Sequence, residues 1–234
     1  MKITPISPNA YQLSRFGHLF NCYLIHEPDG FTLLDTNFPG TADAILAAAR
    51  TLAAPIRRIL LTHAHMDHTG SVDAILTKLA PAEIELAASA RSLPLLQKPP
   101  DKTLQSGESN EPIIGGLSGI TAHPTKLLAE GDLYGSLRTI ETPGHIPGHL
   151  SFLDERDGTL FTGDALICVG RISIPGFCPW YFPLPNGGTW SKKTSVASAK
   201  KLLLFPIQRF ASGHGAVKSG GLPALQTAIA KTRL

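Results

Sequence analysis

"THAHMDH", residues 62–68, sets His63, His65, Asp67 and His68 within seven positions, and takes three of the nine histidines in the chain. A lone histidine is most often a hydrogen-bonded side chain in a partly buried place. An aspartate among three histidines reads differently, because imidazole and carboxylate together make a donor set for a cation. In an extended H-x-H run alternate side chains point to one side, so His63 and His65 can chelate one ion. Asp67 and His68, at the turn into a following helix, face a second.

The flanks fit that picture. "IRRILLTHAH" (56–65) is a short strand of branched residues leading into the cluster, and "GSVDAILTKLA" (70–80) has helical spacing. Upstream, "CYLIHEPDGFTLLDT" (22–36) reads as two strands about a turn at Pro28-Asp29-Gly30, and "TADAILAAARTLA" (41–53) as a helix that Thr41 can cap. Downstream, "EIELAAS" (83–89) and "LRTIETPG" (137–144) are strands, and 149–164 is a hairpin turning at Arg156-Asp157-Gly158. Residues 194–205 and 222–231 are helices. Residues 92–122 and 168–190, rich in Pro and Gly, read as long loops, which in a compact domain are usually functional or disordered. No repeat or composition shift divides the chain, so one domain over 1–234 is expected.

Three more segments at strand ends join glycine to a ligand-type residue: "TPGHIPGH" (142–149), "FTGD" (161–164) and "ASGHG" (211–215). Glycine permits the sharp turn and close backbone approach that a crowded site needs. His63, His65, His68, His145 and His214 offer imidazoles, and Asp67 and Asp164 offer carboxylates. Seven donors exceed one tetrahedral ion and suit two ions, about 3.5–4 Å apart, that share a carboxylate and a hydroxide. A donor set without thiolate fits zinc and also allows iron, manganese or cobalt.

In their order, "THAHMDH", "TPGHIPGH", "FTGD" and "SGHG" resemble the signature of the metallo-β-lactamase superfamily, and "LLDT" (33–36) resembles its first motif. The resemblance spans residues 22–215. It implies an α/β fold, a four-layer αββα sandwich with metals at one edge. It also implies that His63, His65 and His145 hold one ion, that Asp67, His68 and His214 hold the other, and that Asp164 bridges. His149 and Asp35 are expected to orient ligands. The implied reaction is hydrolysis of a small ester, thioester or lactone by a metal-bridging hydroxide, with Asp67 orienting it and taking its proton. The carboxylate at Asp164 resembles glyoxalase II and acyl-homoserine lactonases rather than true β-lactamases. The chain ends soon after Gly215, so the helical C-terminal domain of glyoxalase II is not expected. Two alternatives are a mononuclear iron enzyme resembling persulfide dioxygenases and a metal-binding scaffold without catalysis.

Composition excludes other classes. The chain is 43% hydrophobic and 17% charged, ample for a buried core, and its formal net charge of +3 marks no nucleic-acid footprint. Cys22, Cys168 and Cys178 form no CxxC pair and read as reduced packing residues, with Cys178 the one that a loop could make reactive. Pro5, Pro8, Asn9, Gln12, Ser14 and Arg15 interrupt any apolar leader, and no apolar run of about 18 residues exists. A cytoplasmic enzyme with a small-molecule substrate and no membrane partner is expected; the oligomeric state is open. Both tryptophans fall in "FCPWYFPLPNGGTW", where Trp180, Tyr181, Phe182 and Trp190 follow Asp164. Aromatics there line a substrate pocket or bury the loop, and Met66 and Phe38 are further candidates for its mouth.

Overall fold

The computed structural model describes residues 1–233. They form two compact units, the first comprising Met1–Asp101 with Gly116–Leu128 and the second Lys102–Gly115 with Ala129 onward.

The first unit contains β1 (Lys2–Ser7), β2 (Ala10–Arg15), β3 (Phe20–Glu27), β4 (Gly30–Leu34), α1 (Ala42–Thr51), β5 (Ile56–Leu60), α2 (Met66–Thr69), α3 (Val72–Leu79), β6 (Glu85–Ser89), α4 (Leu93–Leu96) and β7 (Lys126–Leu128). Its seven strands form one sheet in sequence order, antiparallel from β1 to β4 and parallel from β4 to β7. The switch follows the connections: tight turns join β1 to β4, whereas α1 carries the chain from β4 back to β5. All five residues of β4 are buried, so both faces of that strand are covered, and Phe31, Leu33, Ile59 and Leu60 lie at the centre of the core. The sequence reading has no strand over β1 or β2. Pro5 is tolerated because β1 is an edge strand, with a register shift between Pro5 and Ser7.

The second unit contains β8 (Leu133–Tyr134), β9 (Leu137–Glu141), β10 (Leu150–Asp154), β11 (Thr159–Gly163), α5 (Leu184–Gly187), α6 (Lys192–Lys201), β12 (Arg209–Ser212), β13 (Lys218–Ser219) and α7 (Gly221–Ala230). The six-stranded sheet has the order β13-β12-β11-β10-β9-β8, and only β11 and β12 are parallel, because α6 lies in the connection between them. Leu153, Leu160, Val196, Leu202, Phe210 and Leu225 share one apolar core between this sheet and helices α6 and α7. Among the described residues no helix is long and apolar enough to cross a membrane.

Two local expectations are corrected. Strand β5 stops at Leu60, so the histidine cluster lies beyond its end, and Met66–Thr69 form a helical turn of their own. Thr41 precedes α1 without a side-chain cap; its hydroxyl bonds the carbonyls of Thr36 and Phe38, both at 2.9 Å, and so fastens the turn after β4.

Candidate metal-binding residues

In the first unit the cluster is organised by Asp35. This residue follows β4 with φ of +58°, a backbone region uncommon for a residue with a side chain. The turn aims its carboxylate at the cluster. Oδ1 accepts the Thr62 N–H at 2.9 Å, and Oδ2 accepts the Thr62 hydroxyl at 2.8 Å and faces His68 Nδ1 at 2.7 Å. Because the Thr62 hydroxyl donates its one proton to Asp35, it accepts from His63 Nδ1, 3.0 Å away. One buried carboxylate therefore fixes two imidazoles with the proton on Nδ1 and the lone pair on Nε2, the form that binds a cation. His63 Nε2 lies 3.2 Å from His65 Nδ1, and the rings of His63 and His68 are 4.0 Å apart. His65 keeps an extended backbone just before α2. On α2, Asp67 Oδ2 is 3.7 Å from His68 Nε2, and Asp67 is more exposed than the three histidines. Gly70 ends α2, where a Cβ would stand 2.3 Å from Pro39 Cδ; the close approach of the two turns requires glycine. Met66 and Phe38 are half-buried, and Phe38 stacks edge-on against Phe20 at 4.7 Å.

In the second unit the donors come from separate turns. Asp164 follows β11, and its Oδ2 lies 3.0 Å from His214 Nε2 and 3.4 Å from His145 Nε2. The Thr189 hydroxyl donates to the Pro185 carbonyl at 2.5 Å, so at 3.3 Å it accepts from His145 Nδ1 and again leaves the lone pair on Nε2. The backbone of His145 is fastened too, since its carbonyl accepts the Trp190 N–H at 2.8 Å. Gly144, with φ of +141°, lies against the first turn of α6; a Cβ would come within 2.3 Å of the Ser195 nitrogen. His149 is fully buried, and its Nε2 accepts the Asp164 backbone N–H at 3.0 Å while Nδ1 faces the Thr142 hydroxyl at 2.9 Å. Thr142 continues to Ser151 at 2.8 Å. His149 thus supports the backbone that presents Asp164. His214 is held through its backbone N–H by the Ser212 hydroxyl at 3.1 Å and is flanked by the Phe182 ring at 5.4 Å.

The aromatic loop divides. Phe182 is buried against His214, and Trp190 is buried with its indole N–H donated to the Glu111 carbonyl at 2.8 Å. Trp180 and Tyr181 are exposed. Sequence reasoning missed Thr62, Thr142 and Thr189 as supports. Thr62 and Thr142 stand beside ligand-type residues in the motifs, which is a usable signal; Thr189 lies in an irregular loop and offers none. Cys22, Cys168 and Cys178 are buried and unpaired. Burial pushes the Cys168 and Cys178 thiols up to about 12, so Cys178 is not a reactive thiolate.

A two-sheet α/β fold with imidazoles and carboxylates gathered at strand ends defines a class of metalloprotein, and the known proteins agree on which. The sequence profile of the Metallo-beta-lactamase superfamily matches residues 19–214. The uncharacterized protein YobT of Bacillus subtilis (strain 168) is 39% identical over 236 residues, 100% of this chain and 99% of that protein. The hydroxyacylglutathione hydrolase of Rhodospirillum rubrum is 31% identical over 170 residues, 73% of this chain and 52% of its own length. TTHA1623, solved in a di-iron-bound form, matches with a TM-score of 0.65 at 27% identity, over 89% of this chain and 93% of that one. The chain belongs to the metallo-β-lactamase superfamily, whose members are mostly hydrolases, and has its fold.

Proposed function

We propose that the protein hydrolyses a small ester, thioester or lactone, and that its seven donors serve one pair of divalent ions. His63, His65 and His145 are assigned to the first ion, Asp67, His68 and His214 to the second, and Asp164 to both. The observation that carries this reading is Asp164 Oδ2, 3.0 Å from one imidazole nitrogen and 3.4 Å from another. An oxygen so placed has the form of a shared ligand. Buried Nε2 atoms of defined tautomer and a donor set without thiolate fit zinc, iron or manganese. The likeness to a di-iron protein keeps iron beside zinc.

Two such ions, when bound, would supply Lewis acidity toward a carbonyl oxygen and acidify a water toward neutral pH. The chain's own residues do the rest. Asp35 holds His68 directly and His63 through Thr62. His149 holds the Asp164 backbone. Asp67, with a fifth of its side chain exposed, is assigned to orient the water and accept its proton. Thioesters and esters are preferred to lactams because the carboxylate at Asp164 resembles that of glyoxalase II rather than of true β-lactamases. Identity alone does not separate them, since the hydroxyacylglutathione hydrolase of Rhodospirillum rubrum is 31% identical over 73% of this chain and the B3 metallo-β-lactamase BLEG-1 is 26% identical over 90%.

The purified protein should carry about two ions per chain. Turnover of p-nitrophenyl esters, thioesters or lactones should vanish with chelator and return with metal. Asp67→Asn should hurt rate more than occupancy, lowering kcat by about 10²–10⁴-fold when compared at full metal occupancy; equal activity under that condition refutes the general-base role. A single bound iron with oxygen uptake on a persulfide would replace the hydrolase with a dioxygenase, and no turnover across the panel at full occupancy would leave a scaffold.

A further inference from the structure

His145 and His214 come from separate turns, and both bring Nε2 to one oxygen, Asp164 Oδ2. A single segment, residues 178–189, stands behind both rings. The buried Phe182 ring packs against the His214 ring at a centroid distance of 5.4 Å. The Pro185 carbonyl accepts the Thr189 hydroxyl at 2.5 Å, and that hydroxyl faces His145 Nδ1 at 3.3 Å. The spacing of Phe182 and Pro185 therefore sets how the two imidazoles stand to each other.

The backbone of this segment cannot fix that spacing by itself. Pro179, Pro183 and Pro185 have no N–H to give, so neither a ladder nor a longer helix can form across it. The side chain of Asn186 supplies what is missing. Its Oδ1 accepts the Cys178 N–H at 2.8 Å, and its Nδ2 donates to the Cys178 carbonyl at 3.1 Å. A carboxamide offers one acceptor and two donors, so it can pair with both backbone groups of one residue, as a neighbouring strand would. Cys178 is a fixed point for this clasp. It is buried, and its thiol lies 3.8 Å from the carbonyl of Ile174, a residue of the apolar core of the second unit. Inside the closed loop two turns complete the frame: the Phe182 N–H donates to the Pro179 carbonyl at 3.0 Å, and the Asn186 N–H to the Pro183 carbonyl at 2.9 Å.

We propose that Asn186 is a positioning residue: by closing residues 178–186 it holds the rings of His145 and His214 together on Asp164 Oδ2, and its loss loosens both imidazoles at once. The inference rests on the reading of Asp164 as a shared ligand, and adds to it a residue that acts only through the donors. Phe182 serves His214 and Thr189 serves His145; Asn186 serves both.

The first measurement needs no metal. Ring signals are recorded by nuclear magnetic resonance on metal-free protein labelled with ¹⁵N-histidine, at one pH. In Asn186→Ala the signals of both His145 and His214 should shift or broaden, whereas His149, which faces the Thr142 hydroxyl, should keep its own. Thr189→Val should move His145 without His214, and Phe182→Leu the reverse. Asn186→Asp keeps the acceptor for the Cys178 N–H and gives up the donor, so it should restore part of the change. In chelator competition Asn186→Ala should bind zinc about tenfold more weakly than the parent protein, the lower end of what loss of a support behind a ligand costs. If both rings move and the parent protein takes up only one ion, the positioning role stands and the shared-ligand reading falls. If the parent protein takes up two ions and Asn186→Ala leaves both rings and the affinity unchanged, the role is overturned. It is overturned as well if one ring moves alone, or if His149 moves with the other two, because the substitution then acts on one support or on the second unit as a whole. Where Asn186→Ala does not fold, Asn186→Asp carries the same test: a change in both rings supports the role, and a change in neither overturns it.

Discussion

Residues 62–68 and the three turns that carry His145, Asp164 and His214 present similar donors by different means. In the first region the ligand-type residues are contiguous, and a buried carboxylate orients them: Asp35 reaches His68 at 2.7 Å and His63 by way of Thr62. In the second they lie far apart in sequence, and neutral hydroxyls orient them, Thr189 for His145 and Thr142 for His149. A charged acceptor makes a hydrogen bond roughly twice as strong as a neutral one. The two regions should therefore tolerate damage unequally.

The largest effect tests this inequality. Asp35→Asn removes the charge that polarises two imidazoles, and should weaken affinity for the bound ions by about 10–100-fold. Thr189→Val removes one neutral partner of one imidazole and should weaken it by less, about threefold to tenfold, as one ordinary hydrogen bond of about 0.5–1.5 kcal/mol does. Competition with a chelator of known affinity measures both. Equal losses would mean that charge is not what separates the regions.

The same contrast explains what could be read in advance. "THAHMDH" is legible because its donors fall within seven residues, and the hairpin at 149–164 is legible because Asp157-Gly158 marks its turn. The metallo-β-lactamase fold followed from the order of the motifs. Strands β1 and β2 escaped, since Pro5 and Pro8 argue against strand unless the strand is known to be an edge. The supports escaped for a different reason. Thr189 acts on a histidine 44 residues away, and no local pattern encodes a contact at that range. In the aromatic loop the sequence names candidate residues and not their orientation: burial of Phe182 and Trp190 against exposure of Trp180 is decided by packing, not by composition.

A second pair of contacts extends the comparison to the long loop between α4 and β7. In the first unit Asp73 gathers that loop: its carboxylate accepts the N–H groups of Thr121 and Ala122 at 2.9–3.0 Å and pairs with Lys98 at 3.2 Å. Burial pushes the Asp73 carboxyl up, but the two backbone N–H groups and Lys98 outweigh it and hold it below its ordinary value. A depressed carboxylate contributes stability above its unfolded pKa of about 3.9 and loses it as pH falls through the lower folded value. Asp73→Asn should therefore destabilise at pH 7 by the lower part of about 1.5–3 kcal/mol, since solvent screens a side chain that is a third exposed. Urea unfolding should show the gap from the parent protein shrinking below about pH 4. A gap that is constant from pH 7 to pH 3 would show that shape, not charge, holds the loop.

In the second unit the corresponding tether is neutral, and the smallest effect is expected there. Trp190 donates its indole N–H to the Glu111 carbonyl at 2.8 Å, which fastens residues 102–115 to the loop behind His145. Trp190→Phe keeps most of the buried ring and deletes that bond. Glu111 is exposed, so water can replace the lost donor and no buried acceptor is stranded. The bond should therefore count for about 0.5–1 kcal/mol, with little change between pH 7 and pH 4 because neither partner titrates. Part of any further loss comes from the smaller ring. Trp190→His separates the two terms: it retains a ring N–H but less apolar volume. If Trp190→Phe proves more damaging than Asp73→Asn at pH 7, apolar packing around Trp190 outweighs a charged tether. The contrast between charged and neutral support would then hold for the imidazoles and not for the loops.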